Sequence, residues 1–403
     1  MRFMAKGMIL GLVLVLGGCT APQAHYVAAP SPAPPAAPVT AAVTSPAPGE
    51  TGVSTALEIR TTVTGTSAAV VTLTGPGGPV AGEPYPDGAS WIPAAQLAYA
   101  TSYTATVTAT GADGRRTAAS STFTTMAAPG RTAGSGLYPP DGETVGVGMP
   151  VVVELGRDVA DDRREAVQRR LSVRSDPPQV GGWHWFSAHE VHYRPQAPWR
   201  TGTRIDVRLG IGGLDMGGWY GEADRSGTVT VGPDQRLVVD NGTKQMTVTR
   251  DGAVLRTIPV SLGKPSMPSS SGNLVVMEKA ESMVFDSSTF GVPVNSPDGY
   301  RTTVYWDLRL TWGGEFVHAA PWSVGDQGER NVSHGCVNMS TENATWLFHL
   351  AQRGDMVTVA GTEAHVGTGD GWTDWELGFD QYQQVGPSPR PGLADAVQEA
   401  RQR

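Results

Sequence analysis

The stretch Val332-Ser333-His334-Gly335-Cys336-Val337-Asn338 decides how the chain is interpreted, because Cys336 is the only cysteine beyond the N-terminal leader. Fourteen residues separate His318 from Ser333, far enough for a loop to bring the imidazole back beside the thiol. A thiol near its ordinary pKa of about 8.5 is a weak nucleophile, and an imidazole that takes its proton activates it. Gly335 leaves the backbone bare, so neighbouring amides can stabilise the negative charge of an acyl oxygen. The stretch therefore predicts acyl transfer by a Cys/His pair.

Two other interpretations of this cysteine stay open on the residues alone. A free cysteine is often a buried structural residue that behaves as a small apolar side chain. A zinc site is the second alternative and needs His318, His334 and Cys336 as ligands, but no CxxC or HxxxH spacing supports it. We therefore expect neither a metal nor another cofactor.

The same residues resemble the signature of the L,D-transpeptidase catalytic domain, the YkuD-type domain. The shared pattern is His318, fourteen residues, and then Ser333-His334-Gly335-Cys336-Val337-Asn338. The resemblance extends to the residues from Asp286 to Ser296, to Tyr300 and to His318-Ala319-Ala320-Pro321-Trp322. It covers nearly the whole chain and is greatest toward the actinobacterial, mycobacterial-type lipoproteins of this family.

The resemblance implies a peptidoglycan L,D-transpeptidase that forms 3→3 cross-links between stem peptides. Cys336 attacks a tetrapeptide donor, expels its terminal D-alanine, and passes the acyl group from a thioester to the side-chain amine of an acceptor stem. His318 is the implied base, and because Ala319 follows it, an orienting hydrogen bond from that position comes from the backbone. Carbapenem-type β-lactams are the implied inhibitors.

The resemblance also implies roles for the residues around the pair. His334 is grouped with the catalytic residues and, with Ser333 and Gly335, is expected to shape the loop that carries the thiol. Asn338 is expected to hold this loop by side-chain hydrogen bonds, and Tyr300 to line the acyl pocket. Three aromatic residues match pocket or lid positions by resemblance only, with an ordinary core position as the alternative: Phe285, Phe290 and Trp322.

Residues 1–19 have the organisation of an export signal. Arg2 and Lys6 precede an apolar run that is too short to span a membrane as a helix. The run ends at Leu16-Gly17-Gly18-Cys19, which resembles a lipobox in which Cys19 is lipid-modified. An ordinary cleaved signal peptide is the alternative. We expect an exported protein, anchored by lipid to the outer face of the cytoplasmic membrane and facing the cell wall.

Composition divides the rest of the chain. The 51 glycines and 31 prolines favour strands and turns over helices. Short alternating runs at regular spacing are typical of immunoglobulin-like sandwiches. The predicted fold is all-β, with two such sandwiches followed by a β-rich catalytic domain that has one short helix after the cysteine. The predicted divisions are a Pro/Ala-rich linker at 20–49, sandwiches at 50–130 and 131–234, the catalytic domain at 235–361 and a C-terminal extension at 362–403.

Charged and aromatic residues outside the thiol site suggest partners less clearly. The net charge of −8 argues against nucleic acid as a partner. Four arginines are expected on a solvated helix face, with anionic wall polymers as the alternative contact: Arg163, Arg164, Arg169 and Arg170. His184, His189 and His192 match no zinc spacing and are expected to be structural or exposed. The aromatic residues of the extension are expected to dock on the catalytic domain.

Two rival functions remain on the sequence alone. A sortase-like transpeptidase also uses cysteine and histidine on a β scaffold, but it requires an arginine partner and a Leu/Thr-rich cysteine strand, which this chain lacks. A non-enzymatic wall-binding scaffold is the other rival, and the intact Cys336 and His318 weigh against it.

Overall fold

The structure is a computed structural model that describes residues 38–383, apart from residues 86, 87 and 89 and the side chain of Phe290. The predicted export signal, Cys19 and most of the predicted linker therefore lie outside the described residues. Strands dominate the described part, as the all-β prediction requires. None of its helices is long and apolar enough to cross a membrane.

The first domain is a sandwich of two four-stranded sheets. One sheet has the order β1-β2-β6-β5 and the other β4-β3-β7-β8. Its core holds Ile59, Leu73 and Phe123, together with Trp91 and Tyr103. The strands are β1 (Thr40–Ser45), β2 (Ile59–Thr64), β3 (Ala69–Gly75), β4 (Gly78–Val80), β5 (Gly82–Pro84), β6 (Ser90–Pro93), β7 (Ser102–Thr110) and β8 (Arg116–Thr124).

Strand β1 corrects the predicted linker, which was expected to continue to Gly49. Thr40 to Ser45 pair antiparallel with β2, and every second residue is half-buried. Alanine and proline suggested a spacer here, but the short run also alternates, and β2 offers an edge with which it can pair. The linker therefore ends before Thr40.

The second domain is also built from two four-stranded sheets, with orders β10-β12-β15-β14 and β11-β18-β16-β13. A two-stranded ribbon joins β17 to β9. The elements are β9 (Thr132–Ala133), β10 (Ser135–Tyr138), β11 (Thr144–Val145), β12 (Val151–Leu155), α1 (Arg164–Gln168), β13 (Leu171–Asp176), β14 (Gly181–Trp185), β15 (Glu190–Pro195), β16 (Arg204–Leu209), β17 (Tyr220–Gly221) and β18 (Arg225–Val231).

Two of the four arginines around α1, Arg169 and Arg170, do not lie on a solvated face. Arg169 Nε and Arg170 Nη1 both donate to Glu58 Oε1 of the first domain at 2.9 Å. Arg170 Nε also donates to the Ala56 carbonyl at 2.9 Å. Arg169 and Arg170 therefore form ion pairs that join the two sandwiches. Arg164 is buried and pairs with Asp161 of its own domain, and Arg163 stays partly exposed. The sequence did not reveal this joint because Glu58 lies more than 100 residues upstream.

The catalytic domain has a six-stranded sheet, β21-β20-β19-β27-β22-β28, and a four-stranded sheet, β23-β24-β25-β26. Strands β19, β20 and β21 form two successive antiparallel hairpins. The elements are β19 (Gln235–Asp240), β20 (Gln245–Arg250), β21 (Ala253–Pro259), β22 (Ser270–Val275), β23 (Glu278–Asp286), β24 (Arg301–Arg309), β25 (Phe316–Ala319), β26 (Val337–Met339), α2 (Thr341–Leu350), β27 (Met356–Ala360) and β28 (Ala364–His365).

Helix α2 is the predicted short helix after the cysteine. The Ser340 hydroxyl caps it by accepting the Asn343 N–H at 3.3 Å. Its apolar side chains Ala344, Leu347 and Phe348 are buried in the core that the two sheets share. The helix thereby fixes the end of β26, the strand that directly follows Cys336.

Residues 362–383 are called here the C-terminal strap. Its first part joins the catalytic domain, where β28 pairs with β22, but its aromatic residues dock on the second sandwich and not on the catalytic domain as predicted. Trp372 lies in the core of that sandwich, and Trp375 Nε1 donates to the Gly148 carbonyl at 2.7 Å. In the last element, α3 (Phe379–Tyr382), the Tyr382 hydroxyl donates to Asp374 Oδ1 at 2.6 Å.

A buried ion cluster holds the strap in place. His192 lies between Glu190, at 3.0 Å, and Asp374, at 3.1 Å. Burial lowers the pKa of His192, but Asp374 and Glu190 outweigh it and raise the pKa to about 9, so the ring is charged at neutral pH. His192 is therefore structural, as expected. Its partner Asp374 could not be identified from the sequence, because it lies 182 residues away.

Candidate active site

Parallel pairing of β25 with β26 brings the predicted pair together. Val317 is opposite Val337, and His318 is opposite Asn338. Cys336 directly precedes Val337 and so stands beside Phe316, two residues before His318. Residues two apart on a strand share a face. The thiol and the imidazole therefore emerge on the same face, and both line one cavity of about 490 Å³.

The imidazole of His318 is held in one tautomer. Its Nδ1 lies 2.9 Å from the carbonyl oxygen of Ala319, so Nδ1 carries the proton and Nε2 is left as the acceptor. This is the backbone contact expected from the alanine that follows His318. Burial lowers the pKa of His318 to about 4, although the Ala319 contact opposes this shift. The ring is therefore neutral near pH 7 and able to accept a proton.

The thiol of Cys336 is protonated in the resting protein. Burial raises its pKa to about 12, and the carboxyl groups of Glu315 and Asp307 add to the rise, while a backbone hydrogen bond with Phe316 opposes it. Its Sγ lies 3.7 Å from the carbonyl oxygen of Gly314 and donates to it. The pair is therefore a neutral thiol and a neutral imidazole, and the thiol needs a base at the moment of attack.

Hydrogen bonds of Ser333 and Ser269 shape the loop that carries the thiol. Ser333 Oγ accepts the Gly335 N–H at 3.2 Å and donates to the Cys336 carbonyl at 2.6 Å. Ser269 Oγ donates to the Gly335 carbonyl at 2.6 Å. Gly335 has φ +126°, a backbone conformation that favours glycine. Because the Gly335 amide is already engaged by Ser333, it is not the free oxyanion donor that the sequence suggested.

Three other predicted residues complete the wall. Asn338 Nδ2 donates to Ser323 Oγ at 3.2 Å, while its buried Oδ1 has no hydrogen-bond partner among the described residues. The ring of Tyr300 lies 5.2 Å from that of His334. Burial and the neighbouring Cys336 raise the pKa of Tyr300, so its phenol stays protonated. Burial, and secondarily the Lys264 charge, lower the pKa of His334, so that ring is neutral as well.

Matches to known protein families agree with this geometry. Residues 234–359 match the family model described as L,D-transpeptidase catalytic domain, and residues 50–215 match the one described as bacterial Ig domain. L,D-transpeptidase 2 of Mycobacterium tuberculosis (strain CDC 1551 / Oshkosh) is 40% identical over 348 residues, which are 86% of this chain and 84% of that protein. The chain belongs to the L,D-transpeptidase family.

Two further relatives agree with this membership. L,D-transpeptidase 1 of Mycobacterium tuberculosis (strain ATCC 25618 / H37Rv) is 40% identical over 56% of this chain and 84% of its own length. The solved structure of the LD transpeptidase LdtMt1 in complex with imipenem is 37% identical, with a TM-score of 0.50 over 58% of this chain and 100% of that chain. Membership in the L,D-transpeptidase family favours an L,D-transpeptidase over both the sortase-like enzyme and the non-enzymatic scaffold.

Eight of the predicted residues line the cavity of this L,D-transpeptidase: Phe285, Tyr300, His318, Trp322, Ser333, His334, Cys336 and Asn338. Phe285 and Trp322 flank the imidazole, with ring centroids 5.3 and 6.1 Å from that of His318. Trp322 is 60% exposed, which is unusual for a large apolar side chain and indicates a surface that a ligand can cover. The side chain of Phe290 lies outside the described residues.

The residues behind the thiol of this L,D-transpeptidase were not predicted from the sequence. Ser270 donates to Glu315 Oε1 through its amide, at 3.1 Å, and through its hydroxyl, at 2.8 Å. Burial raises the pKa of Glu315 to about 7 against the lowering effect of Ser270, and Asp370 adds to the rise. These contacts carry no local sequence signal, because they join segments up to 45 residues apart.

Proposed function

We propose that this protein is a cysteine-dependent peptidoglycan L,D-transpeptidase that forms 3→3 cross-links. The observation that carries the proposal is the placement of the Cys336 thiol and the His318 imidazole on one face of paired strands, inside one cavity. A neutral imidazole with a free Nε2 is the form that general-base catalysis requires.

Acylation begins with attack of Cys336 Sγ on the carbonyl carbon of the third stem residue. His318 Nε2 takes the thiol proton as the sulfur–carbon bond forms. The bond from this carbon to the nitrogen of the terminal D-alanine then breaks, and the imidazolium returns its proton to the leaving amine. The products are free D-alanine and a thioester on Cys336. Burial disfavours a thiolate, so transfer of the proton accompanies attack.

Transfer to the acceptor repeats these steps in reverse. The side-chain amine of a second stem attacks the thioester carbonyl, and His318 accepts a proton from this amine. The carbon–sulfur bond breaks, a new amide forms, and the thiol recovers its proton from His318. All atoms of the donor and acceptor stems are therefore found in the released D-alanine and the cross-linked dimer.

Two polar groups in the wall are suited to hold the stem. The protonated Tyr300 phenol can donate to the developing oxyanion, because its high pKa keeps the proton in place at neutral pH. Asn338 Oδ1 is a buried acceptor without a partner among the described residues and lies in the cavity wall. An amide N–H of the substrate satisfies this acceptor, which otherwise remains unpaired at a free-energy cost.

The proposal includes a location and an inhibitor class. The Leu16-Gly17-Gly18-Cys19 pattern supports lipid anchoring of the exported protein at the outer face of the cytoplasmic membrane. Carbapenem-type β-lactams are proposed to acylate Cys336 of this chain, which is supported by the relative solved with imipenem.

The test is product analysis with a purified disaccharide-tetrapeptide. The wild-type protein should release D-alanine and form a dimer linked between third residues, whereas a disaccharide-tripeptide, which has no D-alanine to expel, should give no dimer. Cys336→Ala should form none from either substrate. Dimer formation by the alanine variant, or from the tripeptide alone, is incompatible with the proposed reaction.

A further inference from the structure

The C-terminal strap passes directly behind the thiol before it reaches the second sandwich. Strand β28 pairs in parallel with Ser270 and Ser271 at the start of β22. The Val366 amide donates to the Ser271 carbonyl at 2.9 Å. Ser269, which directly precedes β22, donates to the Gly335 carbonyl in the thiol loop, the segment Ser333–Cys336 that carries the thiol. One side of the support behind Cys336 is therefore attached to the strap.

The other side is the turn Gly313–Gly314–Glu315 between β24 and β25, in which each residue makes a different contact. The Gly313 amide donates to Asp370 Oδ1 of the strap at 2.6 Å. The Gly314 carbonyl accepts from the Cys336 thiol. The Glu315 carboxylate is bound by Ser270 and lies behind Gly335, since its Cγ is 3.6 Å from where a Cβ on Gly335 would stand. The turn is thus bonded to the strap on one side and to the thiol on the other.

Two consecutive glycines make this turn dependent on an external contact. Glycine has more accessible backbone conformations than any other residue, and Gly314 already has φ +98°. The peptide plane is rigid, so fixing the Gly313 amide restricts the orientation of the neighbouring groups. If the Gly313 amide loses its hydrogen bond to Asp370, the Gly314 carbonyl is less restrained in its orientation toward the Cys336 sulfur.

We propose that Asp370 is a positioning residue of the active site, which aims the Gly314 carbonyl and the Glu315 side chain at the thiol loop by holding the Gly313 amide. The proposal rests on Cys336 being the nucleophile, as argued above. Asp370 is not among the residues that line the cavity. Its effect is on the rate of thiol attack and not on substrate affinity. The C-terminal strap is thereby a working part of the catalytic domain as well as a tether to the second sandwich.

The experiment compares Asp370→Ala and Asp370→Asn with a matched control on the same strap, Asp380→Asn, whose side chain is exposed. Acylation by disaccharide-tetrapeptide is followed by intact mass, alongside alkylation of Cys336 by iodoacetamide and thermal melting. Asp370→Ala should slow acylation at saturating substrate by up to about 10²-fold, the effect of a misplacement near 1 Å, with half-saturation unchanged. Asp370→Asn keeps an oxygen acceptor for Gly313 and should recover most of the rate, and the control should match wild type.

Two results overturn the proposal. The first is an acylation rate of Asp370→Ala that equals the wild-type rate once it is divided by the fraction of Cys336 that can be alkylated. This result means that Asp370 supports only folding. The second is equal impairment of the alanine and asparagine variants, which means that the charge and not the hydrogen bond matters. Alkylation separates these results from failure of the proposed function, because it reports on the thiol even when the wild-type protein is not acylated by the stem peptide.

Discussion

His318 Nδ1 donates to the carbonyl oxygen of Ala319 at 2.9 Å, and this contact determines which nitrogen of the imidazole faces the cavity. Because the partner is a backbone carbonyl, the tautomer does not depend on a third side chain. The ring is buried and its pKa is lowered to about 4, so Nε2 is an unprotonated acceptor at neutral pH. The imidazole can therefore accept a proton before the substrate binds, whereas the thiol is still protonated at that stage.

His318→Gln should slow formation of the thioester by about 10²–10⁴-fold, the usual value of general-base assistance. Glutamine keeps a polar side chain of similar length but cannot take the thiol proton. His349→Gln is the matched control, since His349 is exposed on α2 and does not line the cavity. Single-turnover acylation, followed by intact mass, measures both variants. Equal losses in the two variants would remove His318 from its assigned role.

The pH dependence of acylation should reflect the lowered pKa of His318. Protonation of Nε2 abolishes the base, so the rate should fall as the pH drops through about 4 and remain nearly constant from about pH 5.5 to 7. A histidine with an ordinary pKa of about 6.5 would lose activity at a pH about 2.5 units higher. Glu315→Gln is the control that assigns this low-pH fall in rate (the acid limb) to His318, because the variant should show the fall at the same pH. An acid limb near 6.5 in both proteins contradicts the burial argument.

Activity on soluble stem peptides should require the second sandwich but not the first. Val275 and Met277 of the catalytic domain lie in the core of the second sandwich with Trp372 of the strap. Exposing each such side chain costs about 1.5–3 kcal/mol. A fragment of residues 131–383 should therefore melt cooperatively and be acylated, whereas residues 232–383 should be destabilised by several kcal/mol. Differential scanning calorimetry of both fragments distinguishes these cases, and equal stability of the two is the contrary result.

The fold class and the central pair were accessible from the sequence for local reasons. Strands alternate with a period of two, α2 has its own cap at Ser340, and a thiol near a histidine has few chemical interpretations. The remainder depends on partners distant in the chain. Glu58 pairs with Arg169 and His192 pairs with Asp374, and no periodicity or motif predicts such pairs. For the same reason Arg169 and Arg170 were assigned to solvent, and the aromatic residues of the strap were assigned to the wrong domain.

Strand β1 shows a different limit of the sequence. Its residues are small and follow a proline-rich run, so composition outweighed a weak alternation over six positions. A strand at the edge of a sheet needs only one partner, and β2 supplies it. Short edge strands of low hydrophobicity are difficult to distinguish from spacers until the partner strand is placed.

Intact-protein mass spectrometry after a brief incubation with disaccharide-tetrapeptide and no acceptor shows whether Cys336 is the nucleophile. We expect one adduct per chain, with the mass of the substrate less D-alanine, located on Cys336 by peptide mapping and absent from Cys336→Ala. Circular dichroism of the alanine variant should match wild type, because a thiol-to-methyl change in a buried position is small. An adduct on a serine, or one that persists in Cys336→Ala, contradicts the assignment of Cys336 as the nucleophile.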